Sequence, residues 1–235
     1  AHAVAGVHDL NGRPVMLIRA DDPEHRGALT PDDGDTLTAA ATMALEKHLP
    51  IVLLLASSGA DANHGVAALD GWGRAARVLA KASGVVPILA GVTGPAVSGT
   101  ALLIGLADVV VMAEDAYAFV SGPVPVRQMT GVQVDVEELG GASVHYRDTG
   151  AASIVVPHDD VLPTISDILR FLPNHNDEEA LVVLVSSLAL NVRAQLCLVR
   201  LDALVLLRLH LLEPVVRQLD SLATRHILIR LIDIE

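Results

Sequence analysis

The stretch that most constrains what this chain can fold into is Gly91–Ala113, GVTGPAVSGTALLIGLADVVVMA. Its later part, Gly94–Ala113, is 20 residues long with Asp108 as its lone charge, which is the length of a membrane span. Pro95, three glycines and that aspartate favour a different reading: a strand, a tight turn, a short apolar helix and a second strand, all buried. The turn falls on Val97-Ser98-Gly99-Thr100. Glycine lets the backbone bend and a ligand approach it, and the first N–H groups of the following helix have no intrahelical acceptor. A turn of this kind suits a developing oxyanion.

The same unit occurs earlier. Ile51–Leu55 is an all-apolar run, read as a strand buried on both faces, and it ends in the small-residue turn Ala56-Ser57-Ser58-Gly59-Ala60. Val66–Lys81 follows with helical spacing, then Val85–Leu89 and Val109–Met112 as strands. Upstream, Val15–Arg19 reads as a strand after the turn Asn11-Gly12-Arg13-Pro14, Asp21–Asp35 as an acidic loop, and Thr36–Lys47 as a helix ended by Leu49-Pro50. Downstream come Tyr117–Val120, the strand Ile154–Val156 and the helix Asp159–Phe171, stopped at Leu172-Pro173-Asn174. Strand, turn, helix and strand in repetition predict an α/β fold with right-handed crossovers. Both small-residue turns follow a strand's C-terminal end, where open α/β sheets place ligands, so the two are expected to converge on one site.

The 235 residues suffice for one large domain, or one domain with an appendage. Apolar residues make up 51% and aromatics 2%, so the core is aliphatic, with Trp72 as its single indole. A formal charge of −12 argues against nucleic acid or an anionic membrane surface as the main partner. Cys197 is the only cysteine, which excludes an intrachain disulfide and thiolate metal clusters and suits a reducing compartment. Ala1–Gly6 is too short for a signal peptide, so a cytoplasmic location is expected. No Ser/His/Asp constellation and no metal-ligand spacing stands out, and no metal is expected.

At this point the order of motifs carries a family likeness. GVTGPAVSGTAL, then ADVVVMAEDAYAFVSGP, then TGVQVDVEELGGASVHYRDTGAAS, then FLPNHN resembles the carboxyltransferase subunits of biotin-dependent acyl-CoA carboxylases, the propionyl-CoA carboxylase beta type of the crotonase superfamily. The likeness spans roughly Gly6–Asn176 and the N-terminal half of such a subunit only. It implies a crotonase-like α/β domain of stacked ββα turns over residues 1–176, and carboxyl transfer to or from the α-carbon of an acyl-CoA thioester. In that family backbone N–H groups hold the enolate, without a dedicated acid–base side chain. By position the second turn's glycine pair falls on Ser98 and Gly99, which the resemblance makes the catalytic donors. Ser58, Gly59 and Ala60 line the facing wall, with Gly140 and Gly141 as further substrate contacts. Asp61 stands where such subunits usually carry arginine. The biotin-side half is supplied by a partner, either a second carboxyltransferase subunit or a biotin carrier in a homo- or hetero-oligomer. Biotin itself is a possible cofactor, carried by that partner.

Alternatives stay open within this likeness: a biotin-independent decarboxylase of malonyl-type thioesters, a non-catalytic assembly subunit, or a hydratase or isomerase using Glu114 or Asp115. Residue by residue, Gly140-Gly141 also reads as a helix C-cap, and His145 as a hydrogen-bonded structural histidine. His158-Asp159-Asp160 reads as a helix cap, and Glu137-Glu138 as a solvated face or subunit contact. Residues 181–235 shift to Leu, Val and Arg, with Arg193, Arg200 and Arg208 on one stripe. They are expected to form a two-helix oligomerisation appendage, and arginine interrupts every membrane-length window after Asn191.

Overall fold

The computed structural model describes residues 3–21 and 24–178. The chain divides at Val182–Val183, and the expected appendage of residues 181–235 lies outside the described residues.

The sequence enters the fold through a hairpin of β1 (Val4–Leu10) and β2 (Arg13–Ala20). Asn11 and Gly12 take φ of 57° and 82°, the paired positive values of a two-residue hairpin turn, and Asp9 Oδ1 accepts from the Gly12 amide at 2.7 Å. The turn is therefore tighter than the expected Asn11–Pro14, and β1 is a strand in addition to those expected. Helix α1 (Pro31–Glu46) starts five residues before the expected Thr36. Thr30 and Asp33 form a reciprocal capping box with Pro31 at the first helical position, so the end of the acidic stretch is a helix start.

Strand β3 (Ile51–Ser57) is buried over nearly all its length, as its unbroken apolar run predicts. Helix α2 (Val66–Ala82) leads to β4 (Ile88–Val97), α3 (Gly99–Ile104), β5 (Val109–Ala113) and the short β6 (Tyr117–Phe119). Helices α4 (Pro123–Thr130), α5 (Val136–Gly140) and α6 (Ala142–Val144) come next, followed by a π-helical turn over His145–Thr149. Strand β7 (Ile154–Val156) and helix α7 (Val161–Leu169) complete the described elements. The sheet runs β1-β2-β3-β4-β5-β7, parallel after the first pair.

Gly91, Gly94 and Pro95 lie within β4, and the strand expected at Val85–Leu89 begins at Ile88, runs through them and ends at Val97. The reason is close packing. A Cβ on Gly91 would stand 2.8 Å from Leu54 Cδ2 and from Val161 Cγ1, so α7 reaches the sheet only where this side chain is missing. Strand β4 also forks: Leu89–Val92 pairs with Val109–Met112 of β5, whereas Pro95–Val97 pairs with Tyr117–Phe119 of β6. At the other end, the helix expected from Asp159 starts at Val161 after a single turn over His158–Asp160, and the Asp160 side chain makes no capping bond.

The family-like FLPN segment is a tie. Arg13 Nε donates to Asn174 Oδ1 at 2.8 Å, and its Nη1 donates to Leu172 O at 2.6 Å and to Leu169 O. A guanidinium thus caps the carbonyl end of α7 and joins the first hairpin to the last described helix. Burial lowers the pKa of Arg13, against the raising effect of Glu178.

Candidate active site

Parallel pairing of β3 and β4 brings the two small-residue turns together, with Ser57 opposite Ala96 after a register shift. The turns touch: a Cβ on Gly59, which has φ of 101°, would stand 3.0 Å from Ser98 Cβ and 3.0 Å from Val97 O. Ser57, fully buried, holds the first turn by accepting from the Gly59 amide at 3.1 Å.

Ser98 turns the chain from β4 into α3 with φ 60° and ψ −121°. These are the angles of the first central residue of a type II′ turn, a position that favours glycine. Gly65 enters α2 with nearly the same pair, φ 54° and ψ −130°. The strand-to-helix turn at 98 is therefore of glycine type but carries serine.

The amides of the two turns divide into those already bonded and those left free. The Ser98 N–H donates to Phe119 O at 2.9 Å, extending the β4–β6 ladder. In the first turn, Ser58 donates to Arg26 O at 3.0 Å, Gly59 to Ser57 Oγ, and Asp61 to Leu29 O at 2.9 Å. Gly99, at the first helical position, and Ala60, between Gly59 and Asp61, have amides with no acceptor among the described residues. The first turn thus leaves the Ala60 amide unspent and the second leaves those of Gly99 and Thr100, and the Ser98 amide is not one of them.

Gly99 has a second constraint. A Cβ there would lie 2.1 Å from Trp72 Cζ2. Trp72 Nε1 and Thr100 Oγ1 are buried without a partner among the described residues.

The remaining expected contacts lie elsewhere. Gly140 and Gly141 are buried, and a Cβ on Gly140 would stand 2.1 Å from Ala118 O. They let α5 and α6 approach β6, with Gly141 as the C-cap of α5. His145 Nε2 lies 2.7 Å from Ala118 O and its Nδ1 lies 2.9 Å from Thr149 Oγ1, the structural role read from sequence. Glu138 joins Asp135 in a capping box. Glu114 and Asp115 are exposed in the β5–β6 turn, where the Glu114 amide donates to Val156 O. Asp61 accepts from the Asn63 amide at 2.9 Å and faces His64 at 3.8 Å. Among the described residues no group of three or more His, Cys, Asp or Glu is arranged to hold a metal, and no helix is long and apolar enough to cross a membrane.

The family model described as the carboxyl transferase domain matches residues 2–188. The chain is 32% identical over 178 residues to the methylmalonyl-CoA carboxyltransferase 12S subunit of Propionibacterium freudenreichii subsp. shermanii, covering 75% of this chain and 34% of that protein. It is 31% identical over 182 residues to the methylmalonyl-CoA decarboxylase subunit alpha of Veillonella parvula, covering 77% and 36%. It thus spans about a third of the length of these curated relatives. Among solved structures, the hexameric transcarboxylase 12S with methylmalonyl-coenzyme A and methylmalonic acid bound matches with a TM-score of 0.73 at 31% identity, over 76% of this chain and 35% of that one.

Proposed function

The chain belongs to the carboxyl transferase domain family, with a crotonase-type α/β fold, and on that premise we propose that it binds an acyl-CoA thioester and stabilises its enolate during carboxyl transfer. The observation that carries the proposal is the pair of unspent amides, Gly99 and Ala60, on two turns in contact. In the proposed reaction the thioester oxygen accepts from these amides. When the bond between the α-carbon and a carboxylate breaks, its electron pair moves into the carbonyl and the oxygen becomes an oxyanion. In the reverse direction the enolate carbon takes up the carboxyl group. Loss of one such donor typically costs about 3 kcal/mol in barrier. Ser98 serves by backbone geometry and not by its amide. Ser58 and Gly59 form the facing wall, and Gly140 and Gly141 act by seating α5 and α6 against β6.

Biotin held by a partner would supply the carrier chemistry for the carboxyl group. The second wall of the site comes from a further carboxyltransferase half in an oligomer. Cys197, as the only cysteine, suits a cytoplasmic setting. A second reading is decarboxylation of a malonyl-type thioester without biotin; the match to a decarboxylase subunit supports the decarboxylation, and the biotin-free form requires only the enolate wall described above.

The test is calorimetric titration with acetyl-, propionyl- and methylmalonyl-CoA, with and without biotin. Binding of the thioesters is the expected result, and release of CO2 from methylmalonyl-CoA without biotin selects the second reading. Absence of binding to any CoA ester refutes both.

A further inference from the structure

We propose that Trp72 is the positioning residue of the thioester site, its indole occupying the place of the side chain that Gly99 lacks and so fixing the direction of the Gly99 amide; this rests on the function proposed above. Trp72 is the only tryptophan of the chain and is 8% exposed. A Cβ on Gly99 would stand 2.1 Å from Cζ2 and 2.4 Å from both Cε2 and Cη2. The benzo edge therefore lies directly on the Gly99 Cα, and any larger residue at 99 displaces either the ring or the turn.

The ring is itself held by backbone. Gly71 precedes it, and α2 crosses α1 at Gly34, where a Cβ would stand 2.4 Å from Gly71 Cα. Two helices thus meet without side chains, and the residue after the contact carries the indole to the turn. Rigid support of this kind is what an oxyanion donor needs, because its contribution depends on a fixed direction.

The polar atoms around the contact argue against mere filling. Trp72 Nε1 and Thr100 Oγ1 are both buried without a partner among the described residues, and Thr100 is fully buried. Leaving a buried donor unpaired is costly, and phenylalanine at 72 or valine at 100 would fill similar space without that cost. Nε1 is bonded to Cε2, one of the atoms against Gly99, so an N–H that no acceptor neutralises stands beside the amide that is to meet negative charge.

The experiment compares the affinity of the full chain for methylmalonyl-CoA and for free CoA, since their ratio isolates the thioester carbonyl and acyl group from the nucleotide. Trp72→Leu is expected to lower that ratio at least tenfold while leaving free CoA binding within twofold. Trp72→Phe, which keeps a ring edge on Gly99 but lacks the Nε1–H, is expected to lower the ratio by less than Trp72→Leu does. A folded Trp72→Leu with an unchanged ratio overturns the proposal, because a merely structural tryptophan lowers the melting temperature without altering discrimination. If Trp72→Leu does not fold, the emission of the sole tryptophan decides in the wild type: methylmalonyl-CoA must change it more than CoA does, and an equal response overturns the proposal. Wild-type chain that binds neither ligand overturns the functional reading itself, a result distinguishable from preference retained without Trp72.

Discussion

Replacing Ser98 with glycine is expected to stabilise the fold. Ser98 holds φ 60° and ψ −121°, a conformation that costs a residue with a Cβ about 1–3 kcal/mol. Glycine removes that strain but makes the unfolded chain freer, which returns about 0.5–1 kcal/mol. The net gain is about 1 kcal/mol, or a rise of about 2–4 °C in Tm for a unit of this size. No side-chain hydrogen bond of Ser98 caps α3, so none is lost there. The fold contains its own control: Gly65 has nearly the same angles, and a Cβ placed on it meets nothing within 4 Å. Gly65→Ser therefore isolates the backbone cost and is expected to destabilise by about 1 kcal/mol. Urea unfolding of both variants, read at constant m-value, gives the two numbers with opposite sign. If Ser98→Gly unfolds at lower urea while Gly65→Ser is neutral, strain at 98 is not what the backbone angles imply.

Other substitutions test the supports of the site. Gly34→Ala forces the α1–α2 crossing apart at backbone that cannot yield, and is expected to cost about 2–3 kcal/mol by urea denaturation; a neutral result contradicts the described crossing. Arg13→Ala removes the guanidinium that caps Leu169 and Leu172 and holds Asn174, with an expected loss of about 2 kcal/mol in chemical unfolding that Arg13→Lys, lacking the planar fork, does not restore. The Asn174 side-chain and backbone amides hold the Glu178 carboxyl below its usual range. A carboxylate shifted down adds stability that is fully present above its unfolded value near pH 4.3 and is lost as pH falls through the lower native value. NMR titration of Glu178 is expected to show a midpoint below about 4.3, and Asn174→Ala is expected to raise it.

The local signals of this chain were sufficient for its class. Apolar runs of strand length, small-residue turns and helical spacing recur in an order that only a parallel α/β arrangement satisfies, and Ile51–Leu55, Ile154–Val156 and α2 stand within a few residues of where the pattern puts them. These features depend on neighbours in sequence, so the sequence displays them directly. The cap at Thr30–Asp33 was legible in the same way, hidden only because the acidic residues around it resemble a loop.

What the chain does at Ser98 and Gly99 was not legible, because hydrogen bonds are spent between strands far apart in sequence. Whether the Ser98 amide is available depends on Phe119, 21 residues on, and the glycines of β4 are strand residues because α7 and Leu54 close over Gly91. Gly99 reads in sequence as a gap left for a ligand, whereas in the fold it is first a gap filled by Trp72. The sequence by itself determined where the turns lie and that they follow parallel strands. Only the tertiary structure decided which amides those turns leave unspent and what holds them, since a donor is free or used according to what the rest of the fold brings beside it.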